Sequence, residues 1–119
     1  MRTGRIFTIV AVLCAISAAT SNAATLSAAD AKSHIGEQAT VCGKVASERT
    51  ATGSRGEPTF INLDAAYPNQ IFTILIWGDN RSNVGPLPSD GERVCATGRI
   101  QEYRGVPEIV VKSKAQLSR

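Results

Sequence analysis

Gln38-Ala-Thr-Val-Cys-Gly-Lys-Val-Ala46 sets Ala39, Val41, Gly43 and Val45 against Thr40, Cys42, Lys44 and Ala46 in strict alternation. A period of two is the signature of a half-buried strand, and Gly43 inside it predicts a bulge or a sharp coil. A polar loop from Ser47 to Glu57, carrying Gly53 and Gly56, leads into a second strand, Pro58 to Asp64. After a turn over Ala65 to Asn69, with Pro68, comes the most apolar strand, Gln70 to Trp77. Gly78 to Gly91 contains Pro86 and Pro88 and leaves room for a turn or two of helix around Arg81 to Val84. A fourth strand, Glu92 to Glu102, and a fifth, Val106 to Lys112, are joined by the tight turn Tyr103-Arg104-Gly105. Pro107 is tolerable near the start of an edge strand. Upstream, Ser27 to Ile35 reads as a short helix: Ser27 and Asp30 fit a capping pattern, the alanines favour helix and Gly36 stops it. Five strands within about 75 residues, the first coiled at a glycine, predict a small closed or nearly closed barrel, because so short a sheet buries too little when flat.

The N-terminus predicts export. Arg2 and Arg5 precede an uncharged apolar run, Ile6 to Ala19, and then the short polar stretch Thr20-Ser21-Asn22-Ala23. This is the layout of a cleavable signal peptide over residues 1–23, with small residues at Ser21 and Ala23 placing the cut after Ala23, or after Ala24. The apolar run is shorter than the roughly 20 residues of a bilayer span, which argues against a retained anchor. Leu13 before Cys14 argues against lipid attachment. Residues 24–119 then form a single domain, periplasmic or secreted. The precursor carries 13 Lys plus Arg against 10 Asp plus Glu, and two arginines leave with the signal, so the mature balance is 11 − 10 = +1. Such a domain lacks the strong basic field of a non-specific nucleic-acid binder, and any phosphate contact must be local. With Cys14 in the signal, Cys42 and Cys95 remain. In an exported small domain two cysteines are most simply a disulfide; a metal site is the weaker competitor, because His34 stands apart from them and no carboxylates cluster nearby.

The run Ile35 to Val45, then Thr59-Phe-Ile-Asn-Leu-Asp64, Phe72 to Trp77, Val94-Cys-Ala-Thr-Gly-Arg-Ile100 and Tyr103 to Val111 resembles the OB-fold family of the anticodon-binding, nucleic-acid-binding type, most of all its small exported bacterial single-domain versions. The resemblance covers about residues 35 to 112. It implies an all-β fold with a short N-terminal helix (27–35) and a five-stranded Greek-key barrel (about 38–112). The first strand would pair with the fourth, and the ligand face would lie on strands two and three, flanked by the loops joining strands one to two and four to five. Cys42 and Cys95 would then lie on neighbouring strands. Both stand opposite their strands' apolar residues, so the implied barrel brings the two thiols together.

On the implied face, parity puts Phe60 with Asn62 and Asp64, opposite Ile61 and Leu63, while Phe72 shares a side with Ile74 and Ile76. Phe60 and Trp77 are expected to form an exposed stacking pair, with Tyr103 reaching in from its turn, although packing at the barrel core or rim is the competing reading. Arg49, Arg55 and Arg104 border the face as candidate phosphate or carboxylate ligands; the plainer reading is solubility. No zinc-ligand spacing, phosphate-cradling glycine loop or dinucleotide fingerprint occurs, and His34 reads as a solvated helix residue, so no catalytic residue, metal or cofactor is expected. The expected function is an exported OB-fold binding module for single-stranded nucleic acid or an oligonucleotide-like ligand, not an enzyme. The alternative is a protein- or glycan-interaction module of the cell envelope, since the same barrel face serves oligosaccharides. A metal-dependent nuclease built on Asp64 with Glu48 or Glu57 stands third, because Asp64 reads more simply as the strand end that opens a turn.

Overall fold

The computed structural model describes residues 3–5, 8–13 and 24–119. The expected signal peptide falls largely outside the described residues, and its processing is not decided there. Among the described residues, no helix is long and apolar enough to cross a membrane.

Among the described residues the fold is mostly β, with eight strands where five were expected. They are β1 (Ala24–Ser27), β2 (Gln38–Thr50), β3 (Thr59–Leu63), β4 (Phe72–Ile76), β5 (Arg93–Arg99), β6 (Gln101–Tyr103), β7 (Val106–Val110) and β8 (Leu117–Ser118). One four-residue helix, α1 (Arg81–Val84), lies in the proline-bearing segment. The strand order is β6-β7-β4-β3-β2-β5-β8, with β1 running parallel to the first half of β2.

The long β2 makes this sheet curl. Gln38 to Lys44 pair with β5, whereas Val45 to Thr50 pair with β3, and the register slips between Val45 and Ser47. Gly43 stands just before that change. A side chain there would come within 2.9 Å of the Asp64 carboxylate and 3.1 Å of Leu63 Cβ, so only glycine lets β2 pass so close to the end of β3. Asp64 closes β3 in the left-handed region (φ 65) and accepts the Lys44 amide on its side chain at 2.9 Å. It thus ends the strand, as its sequence position suggests.

β4 lies antiparallel to β3 and parallel to β7. β5 and β7, each one strand in from an end of that order, approach each other as the sheet curls but are not ladder partners. Gln116 bridges them instead: its amide nitrogen donates to the Thr97 carbonyl at 3.0 Å and to the Val110 carbonyl at 3.1 Å. The result is an incompletely closed barrel. Ile61, Leu63, Phe72, Ile74, Ile76 and Ile109 fill its interior without solvent exposure. Parity therefore placed the inward residues of β3 and β4 correctly.

Three expectations need correction. Ser27 does cap a helix, accepting the Asp30 amide at 3.2 Å, but Ala28–Ser33 is a 3-10 helix. Ala28 and Ala31 sink into the core there, and the short side chains suit that tight approach. The fourth strand breaks at Ile100, whose amide and carbonyl turn away to the backbone of Glu37 and Gly36. β1 and β8 were not foreseen, because they are short and gain their partners only through distant parts of the chain.

Candidate binding hollow on the outward sheet face

The outward face of the sheet carries a polar row that crosses five strands. Ser47 pairs with Asn62, Asn62 with Thr73, Thr73 with Glu108 and Glu108 with Gln101, so the row runs β2-β3-β4-β7-β6. Cross-strand neighbours on one face are close enough to bond, and three of these four pairs do. The Asn62 amide donates to Ser47 Oγ at 3.1 Å, Thr73 Oγ1 donates to the Asn62 carbonyl at 3.1 Å, and Gln101 donates to Glu108 Oε1 at 3.2 Å. Asn62, Thr73 and Glu108 are buried, with 7% of Glu108 exposed. Burial lifts the Glu108 carboxyl above its ordinary value, and the Gln101 hydrogen bond pulls in the other direction.

Over this row lies a hollow of about 520 Å3. Its walls include Phe60, Tyr67, Pro68, Tyr103 and Val106; Arg49 and Arg104 also line it. Phe60 stands opposite Arg49 on β2 and Leu75 on β4. Tyr103 and Arg104 arrive on the β6–β7 hairpin, where Arg104 and Gly105 both take positive φ (50 and 80), the requirement of a two-residue type I′ turn. That turn holds the Arg104 guanidinium 5.2 Å above the Tyr103 ring. Gln70 lines the hollow too, and its side-chain oxygen is buried without a hydrogen-bond partner. Glu48 is a further acid in the lining, its pKa raised first by burial and then by the nearby charge of Asp90.

Four of the six residues singled out from sequence therefore meet: Phe60, Tyr103, Arg49 and Arg104. Two do not. Arg55 lies exposed in the loop between β2 and β3 and does not line the hollow. Trp77 lies in a separate shallow groove beside Arg99, Val110, Lys112 and Gln116, so it forms no stacking pair with Phe60. The reason is local: β4 ends at Ile76, Trp77 opens a 3-10 turn, and its ring packs over Gly56 where a Cβ would sit 3.0 Å away. Cys42 and Cys95 face each other across the β2–β5 ladder and form a disulfide.

The carboxylates of the nuclease reading are dispersed. Asp64 is taken by the Lys44 amide, Glu57 pairs with Arg81 at 3.4 Å, and only Glu48 lines the hollow. His34 bonds Glu37 at 2.6 Å beside the N-terminal turn, away from the hollow. Sequence reasoning missed Glu108, Thr73 and Gln70 as lining residues. The alternation of Glu108 with Pro107 and Ile109 signalled an outward side chain, but not which strand would lie beside it.

No family model matches the sequence, and no curated protein is similar to it. Among solved structures, similarity extends to a "putative aspartyl-tRNA synthetase from Leishmania major Friedlin", with a TM-score of 0.53 at 11% identity. The alignment covers 85% of this chain and 21% of that one, so this chain spans about a fifth of its length. The fold is compatible with an OB-like all-β architecture. At such identity the likeness concerns the fold alone. The hollow of this OB-like fold has to be argued from its own side chains.

Proposed function

We propose that the chain is an exported OB-fold binding module whose hollow takes single-stranded nucleic acid or an oligonucleotide-like ligand. The observation that carries this reading is the meeting of two aromatic side chains, Phe60 and Tyr103, with two arginines, Arg49 and Arg104, over one hollow on β3 and β4. Aromatic faces accept stacked bases, and guanidinium groups accept phosphates. The Greek-key assignment is part of the proposal. Its support is the ladder of β2 with β5 and the parallel pairing of β4 with β7, which together with β3 correspond to the five barrel strands expected from sequence. The solved synthetase similar in fold acts, by its name, on a tRNA, which fits a nucleic-acid ligand.

No catalytic step is part of this reading, and neither is a cofactor or a membrane anchor. Export is supported by the signal-like residues 1–23 and by the Cys42–Cys95 disulfide, which suits an oxidising compartment. N-terminal sequencing of protein from its native host tests this; a chain still starting at Met1 would refute export.

The binding reading is tested by titrating the purified, oxidised protein with short single-stranded oligonucleotides at two salt concentrations. Micromolar binding that weakens with salt is expected, with a shallow slope because only a few phosphates are neutralised. Absence of binding at low salt would overturn it. The polar floor would then favour the envelope glycan or protein partner.

A further inference from the structure

The hollow leaves its hydrogen-bonding capacity unspent in one sense only. Both ends of the Asn62 amide are used within the polar row, by Ser47 and by Thr73. Glu108 is different. It is the one charged side chain among the buried described residues, and its side-chain bond comes from Gln101 to a single oxygen. Arg49 and Arg104 line the same hollow, yet neither forms an ion pair with Glu108 among the described residues. Gln70 adds a second acceptor, the buried oxygen with no partner. The floor therefore presents acceptors, and the arginines present cationic donors. A complementary ligand offers N–H groups inward and an anion outward, between the rings of Phe60 and Tyr103.

Resting on the single-strand reading above, we infer that this hollow selects guanine, with Glu108 accepting from the base edge and Arg49 or Arg104 meeting the adjoining phosphate. Guanine alone among the common bases presents two adjacent donors, N1–H and the N2 amino group, that match the two oxygens of one carboxylate. Cytosine and adenine set a donor beside an acceptor, which an ionised carboxylate repels. Thymine flanks its one donor with two carbonyls. A bidentate contact of this kind discriminates by about 1–3 kcal/mol, equivalent to roughly 5- to 150-fold in affinity.

The test uses the oxidised protein and three seven-nucleotide single strands: all thymine, thymine with one central guanine, and the same strand with inosine, which lacks the N2 amino group, at the centre. The guanine strand is expected to bind about tenfold more tightly than all-thymine, with inosine in between. Glu108→Gln is expected to lose the preference, binding the guanine strand no more tightly than the all-thymine strand, and an unchanged circular dichroism spectrum shows that the variant is folded; a preference retained in this variant would overturn the role of Glu108. Equal wild-type affinity for the guanine and all-thymine strands would overturn guanine selection while leaving the single-strand reading intact. Binding of neither strand would overturn both.

Discussion

Glu108 carries a carboxylate at the floor of the hollow, and the cost of holding it there has a definite sign. Burial raises its folded pKa above the ordinary 4.5. The folded state thus keeps the proton to higher pH than the unfolded chain does, and stability falls as pH rises from about that ordinary value through the raised one. The penalty is absent below the window and complete above it. Glu108→Gln keeps the size and a partner for Gln101 but removes the charge, so its thermal midpoint at neutral pH is expected to exceed wild type. The two proteins should converge below pH 4.5, the ordinary carboxyl value, in denaturation scans at neutral pH and in that acid range. Phe60 and Trp77 separate in a second measurement. Phe60→Ala is expected to weaken oligonucleotide binding by about 1–3 kcal/mol per stacked base. Trp77→Ala, outside the hollow, should leave affinity unchanged while lowering stability, because the ring covers Gly56. Equal losses of affinity in both variants would place Trp77 in the ligand's path.

The β6–β7 hairpin shows how an element holds a binding group at a conformational cost. A two-residue type I′ turn needs positive φ at both central residues, and asparagine followed by glycine is the sequence that adopts it most readily. Here Arg104 occupies the first position at φ 50, where an arginine is strained by about 1–2 kcal/mol. That strain is explained if the guanidinium serves the ligand. Arg104→Asn should therefore stabilise the domain while weakening oligonucleotide binding, and it should reduce the logarithmic salt slope by about 1, as loss of one phosphate contact does. Paired denaturation and salt-titration experiments check both effects; a variant less stable than wild type would show that the Arg104–Tyr103 contact outweighs the strain.

The disulfide acts at the scale of the whole molecule. Cys42 and Cys95 are 53 residues apart in sequence, and the loop they close contains β3, β4 and α1. By chain-entropy arguments such a bond stabilises the folded state by roughly 4 kcal/mol, a large share of the stability of so small a domain. The double variant Cys42→Ala/Cys95→Ala is expected to lose about that amount in chemical denaturation. The loss matters more because, among the described residues, no ladder joins β5 to β7, and Gln116 supplies two side-chain bonds across the gap. A loss below about 1 kcal/mol would mean that the core fixes the β2–β5 register without the bond.

The sequence by itself determined what depends on the period of a single strand. Ile61 and Leu63 point inward and Phe60 outward, Phe72, Ile74 and Ile76 form the core, and Tyr103-Arg104-Gly105 makes a tight turn, because alternation and turn chemistry are local properties. The pairing of Cys42 with Cys95 was legible once parity was combined with a barrel. Only the tertiary structure decided how the outward faces meet. Parallel pairing of β4 with β7 sets Glu108 beside Thr73, and the end of β4 at Ile76 carries Trp77 out of the hollow. It also broke the fourth strand at Ile100 and added β1 beside β2. Register between strands distant in sequence is set by curvature and close packing of the folded sheet, and no single strand's pattern encodes it.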